Sequence, residues 1–458
     1  MKILQVVHSL PFLNQAGTEI YTYSLSLELA KRHEVYIFSR ICDERQEELE
    51  ITQKTMDGIG IYLINNTFSQ CDSFEKYYKN PEIDKRFADI LDKIKPDIVH
   101  IQHLVFLSTG LIREAHKRDI PLIFTLHDYW FICPKWHLLK KDSTPCDKKI
   151  FDEECVDCMG ELLYITKGAK KCHSFCKHLL PGSIINVFKR LYFLFMKKTR
   201  DNSYYMCKLK EREGHVRDIL DKVDLFLAPS EYARKVLIEF GIPAQKIRLS
   251  INGLPEMLSQ DLHKTKNKKI RFAFIGTIIP AKGLHVLIHA FNGISNKNAE
   301  LKIYGKLYPY RGFEFYIPYL RKIIRNKNIT FAGDYNNTDA GDIFRGIDAL
   351  IVPSIWNENA PLVISEAFSS RTPVIASDIG GIPELIKDGV NGLLFKAGNV
   401  MDLQRKMEYV LCNLQVIEKF KKNMPMVKNI QDNAIEIEEL YSKLTACGMA
   451  KGDKECPV

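Results

Sequence analysis

The chain has 458 residues, 46% of them hydrophobic and 26% charged. That is enough for two or three domains with sizeable cores, and it excludes a disordered or collagen-like polymer. No run approaches the roughly 18 consecutive apolar residues of a membrane-spanning helix. The formal net charge of +9 favours an anionic partner such as a membrane surface or a phosphorylated lipid, and no nucleic-acid motif accompanies it.

In chain order, the apolar start at residues 3–7 is too short for a signal peptide and reads as a strand. That places the protein in a cytosol, where thiols stay reduced. A helix is predicted over 19–32, strands over 33–38 and 59–64, a helix over 84–94, a strand over 97–102, a helix near 109–118 and a strand over 122–126. Strands of β-branched residues alternating with helices predict a parallel, doubly wound sheet. From about 133 to 215 the rhythm stops in a segment rich in cysteine, lysine and aromatics, which reads as an insertion. It resumes with a strand over 223–228. Turn signals at Asn252-Gly253-Leu254-Pro255 introduce a second series. Strands are predicted over 271–275, 301–304, 329–332, 350–352 and 374–376, with a helix over 284–294. A last helix over 432–446 carries Ile435, Ile437, Leu440, Tyr441 and Leu444 and needs an apolar surface to pack on. The fold class is therefore α/β, with one domain over 1–228 and a similar one over 229–431.

The segment 354–368 carries the most chemistry. Glu358 and Glu366 are eight positions apart with Pro361 between them. Pro at a first helical position marks a helix start, so Glu358 falls in the loop before the helix and Glu366 on its second turn. The apolar run before them reads as a buried strand, which puts Glu358 at a strand's carboxyl end, where α/β proteins bind ligands. The backbone N–H groups of Leu362 and Val363 would favour an anion there. A pair of carboxylates with N–H donors between them suits a nucleotide-sugar site; spacing alone equally allows two unrelated surface glutamates.

Six motifs in order extend this. They are Ala16-Gly17-Thr18-Glu19, Thr125-Leu126-His127-Asp128, Ala228-Pro229-Ser230-Glu231, the loop from Gly276-Thr277 to Lys282-Gly283, the Glu358/Glu366 pair, and Gly380-Gly381-Ile382-Pro383-Glu384. Together they resemble the retaining glycosyltransferases of family 4, which have the GT-B fold, over most of the chain outside 133–215. The resemblance implies two Rossmann-like domains facing across a cleft, hinged near Ser230 and Asn252, with residues 432–458 crossing back to the first domain. It implies a sugar donor of the UDP or GDP type and catalysis that retains anomeric configuration and requires no cofactor. Lys282 would stabilise charge on the departing phosphate. Glu366 would hold the ribose, and Glu358 the donor sugar with the Asn359 and Ala360 N–H groups. Gly17 and Gly276 would let backbone approach the phosphates, and His127 would face the donor sugar. His8 and His103 also fall near strand ends and are rivals to His127 for the acceptor. Thr277 departs from the pattern, which commonly has arginine there; losing a charge-assisted contact would be worth a few kcal/mol. Lys306 or Arg311 would compensate.

The insertion holds six cysteines within 44 residues. Two ligand sets for a structural zinc follow from their spacing. One is Cys133, Cys146, Cys155 and Cys158, which resembles an insertion of some family-4 members; the other is Cys155, Cys158, Cys172 and Cys176. An iron–sulfur cluster stays open, as do free thiols. From 184 to 206 the insertion turns apolar, interleaved with Lys189, Arg190, Lys197 and Lys198, which suits a helix lying in an anionic membrane interface. The expected protein is a cytoplasmic glycosyltransferase, peripheral on the inner face of the membrane. It would act on a glycan or polyprenyl-linked acceptor in capsule, O-antigen or exopolysaccharide synthesis. A non-catalytic subunit of the same fold and a sugar-nucleotide epimerase are the alternatives.

Overall fold

The computed structural model describes residues 1–69, 71–146, 151–164, 182–199, 201–255, 269–307, 313–334 and 340–449. The first domain runs β1 (Lys2–Val6), α1 (Gly17–Ala30), β2 (Glu34–Ile41), β3 (Ile51–Met56), β4 (Ile59–Asn65), α2 (Pro81–Ile94), β5 (Ile98–Ile101), α3 (Gly110–His116) and β6 (Leu122–Thr125). Helices α4 (Glu153–Leu163), α5 (Gly182–Thr199) and α6 (Asn202–Leu220) lead to β7 (Leu225–Ala228), α7 (Glu231–Phe240) and β8 (Ile247–Leu249). The strands form one sheet in the order β3-β4-β2-β1-β5-β6-β7-β8. Every neighbouring pair is parallel except β3 with β4.

Three elements of this domain differ from the sequence expectation: β3, α6, and β8, which adds residues 247–249, expected in the second domain, to the first sheet. Strand β3, with the polar sequence ITQKTM, was not expected, because an edge strand buries too little to show an apolar pattern. Its hairpin turn is Asp57-Gly58, both at positive φ, and Asp-Gly between strands is the signal that marks it. Helix α6 overlaps the predicted insertion but belongs to the domain body, since Leu209, Val216, Ile219 and Leu220 pack into the same core as Leu4, Val99 and Phe124. Its Arg212 is fully buried. The guanidinium donates to the carbonyls of Trp130 (2.6 Å) and Phe131 (3.2 Å) and lies over the Tyr78 and Trp130 rings. Those bonds satisfy a charge that burial alone would make costly.

The second domain runs β9 (Ile270–Ile275), α8 (Leu284–Asn292), β10 (Ala299–Tyr304), α9 (Tyr316–Ile323), β11 (Ile329–Gly333), α10 (Ala340–Arg345) and β12 (Ala349–Val352). It continues with α11 (Leu362–Ser369), β13 (Val374–Asp378), α12 (Ile382–Leu385), β14 (Gly392–Lys396), α13 (Val400–Cys412), α14 (Gln415–Lys422) and α15 (Ile430–Met449). Its sheet is wholly parallel, in the order β11-β10-β9-β12-β13-β14. Strands β9 and β12 carry apolar residues on both faces because helices cover both. Phe272, Phe274 and Ile351 face one core and Ala273, Leu350 and Val352 the other.

Helix α15 packs on the first domain. Ile430, Ala434, Ile437, Tyr441 and Leu444 share one core with Ile3, Val7, Tyr21 and Leu25. The Tyr441 hydroxyl bonds Gln5 Nε2 (3.0 Å) and His100 Nδ1 (2.6 Å). Asn433 Oδ1 accepts from the Tyr21 hydroxyl (2.9 Å) and from the N–H of Gly253 (3.1 Å). One side chain thus ties α1, α15 and the interdomain connection together.

Candidate active site

In each sheet the chain order reverses at one point, between β1 and β5 in the first and between β9 and β12 in the second. Loops leaving the carboxyl ends of such strands splay apart and leave a crevice for ligands. His8 follows β1, His103 follows β5, and His127 with Asp128 follows β6; Thr277 and Lys282 follow β9, and Glu358 follows β12. The two crevices meet. Asn359 Nδ2 donates to the carbonyl of Leu126 in the other domain at 3.2 Å, and a side chain at Gly17 would touch Leu362.

Lys282 and Glu358 are brought into direct contact. The Lys282 ammonium donates to Glu358 Oε1 at 2.6 Å, and the Ser354 hydroxyl donates to the same oxygen at 2.6 Å. Glu358 is 4% exposed, while the Lys282 side chain is 27% exposed and its ammonium lies 5.3 Å from the Trp356 ring centroid. A buried carboxylate needs such partners to stay charged. The backbone forces the approach. Gly283 has φ +67°, and a Cβ there would stand 1.8 Å from the carbonyl oxygen of Pro353. Only glycine lets the β9 loop close onto the β12 loop. Gly380, at φ +60°, plays the same part on the far side of Glu358, where a Cβ would reach 2.4 Å from the Glu358 carbonyl oxygen. The neighbouring Gly381 N–H donates to that carbonyl.

Glu366 lies on the second turn of α11 and is partly buried in the cleft wall. Burial lifts its carboxyl to about 7. Pro361, expected as the first helical residue, is instead the cap of α11, with extended ψ, and the helix begins one position later, so Leu362 and Val363 supply the first orphan N–H groups. Gly276 and Thr277 follow β9, with the Gly276 N–H donating to Tyr304 O. Lys306 lies after β10 near this loop and is already engaged in an interaction, and Arg311 lies outside the described residues.

His127 is held by Gln102, with Nε2 at 2.7 Å from Gln102 Oε1. Burial, followed by the neighbouring His103, drives its imidazole down to about 3. Two carboxylate–histidine pairs stand beside it that sequence reasoning did not assemble. His103 accepts from the Val105 N–H on Nδ1 and therefore donates from Nε2 to Asp128 at 2.8 Å. His8 Nε2 lies 3.2 Å from Glu19 Oε1, and Asn14 donates to the same oxygen at 2.6 Å. Burial opposes the charge on Glu19 and on Asp128, yet His8 and His103 hold both carboxyls below their usual range. The His8 and His103 rings are 4.7 Å apart. His137 packs 4.8 Å from Trp356 and feels both Asp128 and Lys282, so a continuous polar file runs from Glu19 to Glu358. The Tyr129 hydroxyl, Trp356 Nε1, Asn359 Oδ1, His8 Nδ1 and Glu19 Oε2 are buried along it without a hydrogen-bond partner. Such groups are rare unless a ligand or water completes them. Glu384 caps α7 from the other domain, accepting from the N–H groups of Glu231 (2.8 Å) and Tyr232 (2.7 Å).

The cysteines lie behind this cleft. Cys133 and Cys155 are buried, and Cys146 and Cys158 partly so. Burial pushes the Cys133 thiol up to about 12, with Cys158 and Cys146 close enough to add to the effect. Among the described residues no three His, Cys, Asp or Glu side chains converge as a metal-binding group. Cys172 and Cys176 lie outside the described residues.

Family models match both halves of the chain: Glycosyltransferase Family 4 over residues 16–151 and Glycosyl transferases group 1 over residues 259–427. YtcC of Bacillus subtilis, a glycosyltransferase by name, is 26% identical over 270 residues, covering 52% of this chain and 66% of that protein. An uncharacterized 41.2 kDa protein in the cps region of Klebsiella pneumoniae is 26% identical over 186 residues, covering 39% of this chain and 49% of that one. The chain thus spans under two thirds of the length of either relative. Among solved structures, Anabaena Alr3699/HepE in complex with UDP and glucose superposes with a TM-score of 0.64 at 15% identity, over 96% of this chain and 99% of that one. With both domains matched in order and two parallel sheets meeting at their switch points, the chain belongs to the family 4, group 1 glycosyltransferases of the GT-B fold.

Proposed function

We propose that the protein transfers a glycosyl unit from a nucleoside diphosphate sugar to a glycan or lipid-linked acceptor, with retention of anomeric configuration. The carrying observation is the Lys282–Glu358 contact at the β9/β12 switch point, with Glu366 eight residues further along the chain on the second turn of α11. Without donor the two charges satisfy each other. With donor, Lys282 turns to the β-phosphate oxygen, where negative charge develops as the glycosidic bond breaks, and a fixed cation stabilises that charge most in a cleft shielded from water. Glu358 is then free to accept from hydroxyls of the donor sugar, and Glu366 from the ribose. No dedicated base is needed if the leaving phosphate takes the acceptor proton. The UDP and glucose bound by HepE support a UDP-sugar donor, and the cps-region relative supports a role in cell-surface polysaccharide synthesis.

The test is release of nucleoside diphosphate from a panel of UDP- and GDP-sugars. The wild-type protein is expected to hydrolyse one donor slowly, and Glu358→Ala and Lys282→Met to lower that rate roughly a hundredfold or more, as for a removed oxyanion donor. Donor binding without any turnover would favour a non-catalytic subunit instead.

The location proposed is peripheral at a membrane. Among the described residues no helix is long and apolar enough to cross one. A structural zinc on Cys133, Cys146, Cys155 and Cys158 is a second proposal that rests on their spacing, because thiolates are soft ligands that lose their protons on metal binding; these side chains would have to draw together to hold it. Metal analysis of protein purified without chelator is expected to give about one zinc per chain; a value near zero discards the site.

A further inference from the structure

The net charge of the chain is not spread over it. Residues 162–200 hold nine lysines and arginines and no aspartate or glutamate, and the chain as a whole has 65 basic and 56 acidic residues. The remaining 56 basic residues therefore match the 56 acidic ones, and the whole excess of +9 sits in this one stretch. It contains α5. That helix turns its apolar residues the wrong way for a globular protein: Ile184, Val187, Phe188, Leu191, Leu194 and Phe195 are 41%, 58%, 57%, 56%, 56% and 63% exposed. Their spacing places them on a single face. The other side of the helix is anchored, with Ile185 buried and Tyr192 and Met196 packed against the first-domain core. The Tyr192 hydroxyl donates to the carbonyl of Tyr164 at the end of α4 at 2.8 Å. The exposed face is therefore not a helix waiting to pack on its own domain.

We propose that α5 is a docking surface for an anionic lipid bilayer, lying in the interface plane with this face sunk into the headgroup region. The inference rests on the peripheral-membrane reading and not on the transfer chemistry. Charge selects the occupant. A second copy would bring an equal excess of positive charge against the first, whereas anionic headgroups neutralise it while the acyl region receives the aromatic and aliphatic side chains. The helix is 18 residues long, too charged to span and long enough to lie flat over about 27 Å. It is carried by the crossover that leaves the carboxyl end of β6, beside His127 and Asp128. Docking would therefore hold the first-domain side of the cleft next to the bilayer, where a lipid-linked acceptor presents its sugar.

Flotation of the full chain with vesicles tests this. Wild type is expected to bind equimolar phosphatidylcholine–phosphatidylglycerol vesicles, to bind pure phosphatidylcholine roughly tenfold less, and to be released by salt. The triple variant Phe188→Ser, Leu191→Ser, Phe195→Ser and the pair Lys197→Gln, Lys198→Gln are each expected to lose binding roughly tenfold, with melting temperature and nucleotide binding unchanged. None of these positions is among the residues that form the candidate site, and a folding defect is separable by the melt. If wild type floats and both variants float equally well, α5 is not the surface, though the peripheral reading stands. If wild type does not float, both fail. A wild-type dimer in sedimentation that the triple variant converts to monomer, without flotation, would assign the face to self-association and overturn the proposal.

Discussion

At the scale of single residues, Glu366 makes the sharpest prediction. Its folded value near 7 lies above the ordinary carboxyl value of 4.5. Protonation therefore favours the fold: the contribution is complete below the unfolded value and is lost as pH rises through the folded one. Holding a ribose needs the ionised form as acceptor. Nucleotide affinity should thus rise across about pH 7 while thermal stability declines, and Glu366→Gln should flatten both trends. Titration calorimetry and melts at a series of pH values measure the two. An affinity that is flat with pH in wild type would remove the ribose role. Glu358, Lys282 and Glu366 were legible because each lies in a short motif beside a strand end. The His8–Glu19 and His103–Asp128 pairs were not. Neither partner marks the other in sequence, and the second pair joins loops 25 residues apart that only the β5–β6 pairing brings together. His127 was singled out by its motif, and its Nε2 is held by Gln102, just as His8 and Asp128 are held by Glu19 and His103.

Among elements, those buried on both faces were easiest to read. Strands β5, β9 and β12 are runs of apolar residues because helices cover both sides of the sheet. Both edge strands of the first sheet escaped. β3 is polar and half-exposed, and β8 is three residues long. The short helical turn Pro280–Lys282 and the glycine that follows it, which join β9 to α8, matter more than their length suggests. Gly283→Ala would force a Cβ into the Pro353 carbonyl and a left-handed backbone onto a residue that resists it. A loss of more than about 2 kcal/mol is expected in denaturant titrations. Donor affinity should fall with it, because Lys282 is the adjacent residue. Unchanged stability would mean the β9 and β12 loops do not close as described.

For the whole molecule, the decisive joint is α15 on the first domain. Tyr441→Phe removes a hydroxyl shared by Gln5 and His100 and leaves two buried polar groups short of a partner, at a cost of about 1–3 kcal/mol. The chain's hydrophobic periodicity announced this helix, and its need for an apolar surface was plain. The family resemblance pointed to the first domain as that surface, but the individual partners, Ile3, Tyr21 and Leu25, lie some four hundred residues earlier and nothing in the helix's own sequence names them.

That joint also sets the order in which the protein can be completed during synthesis. The core that joins Ile3 and Val7 of the first sheet's side to Tyr21 and Leu25 of α1 is finished only by residues 430–444. Everything from β9 to α14 must leave the ribosome in between. At about 5–20 residues per second, the roughly two hundred residues from the end of β8 to residue 444 keep the nascent first domain with an open apolar flank for about 10–40 s. Chaperone capture is expected to concentrate on chains arrested within that window, and to cease once the last helix has emerged.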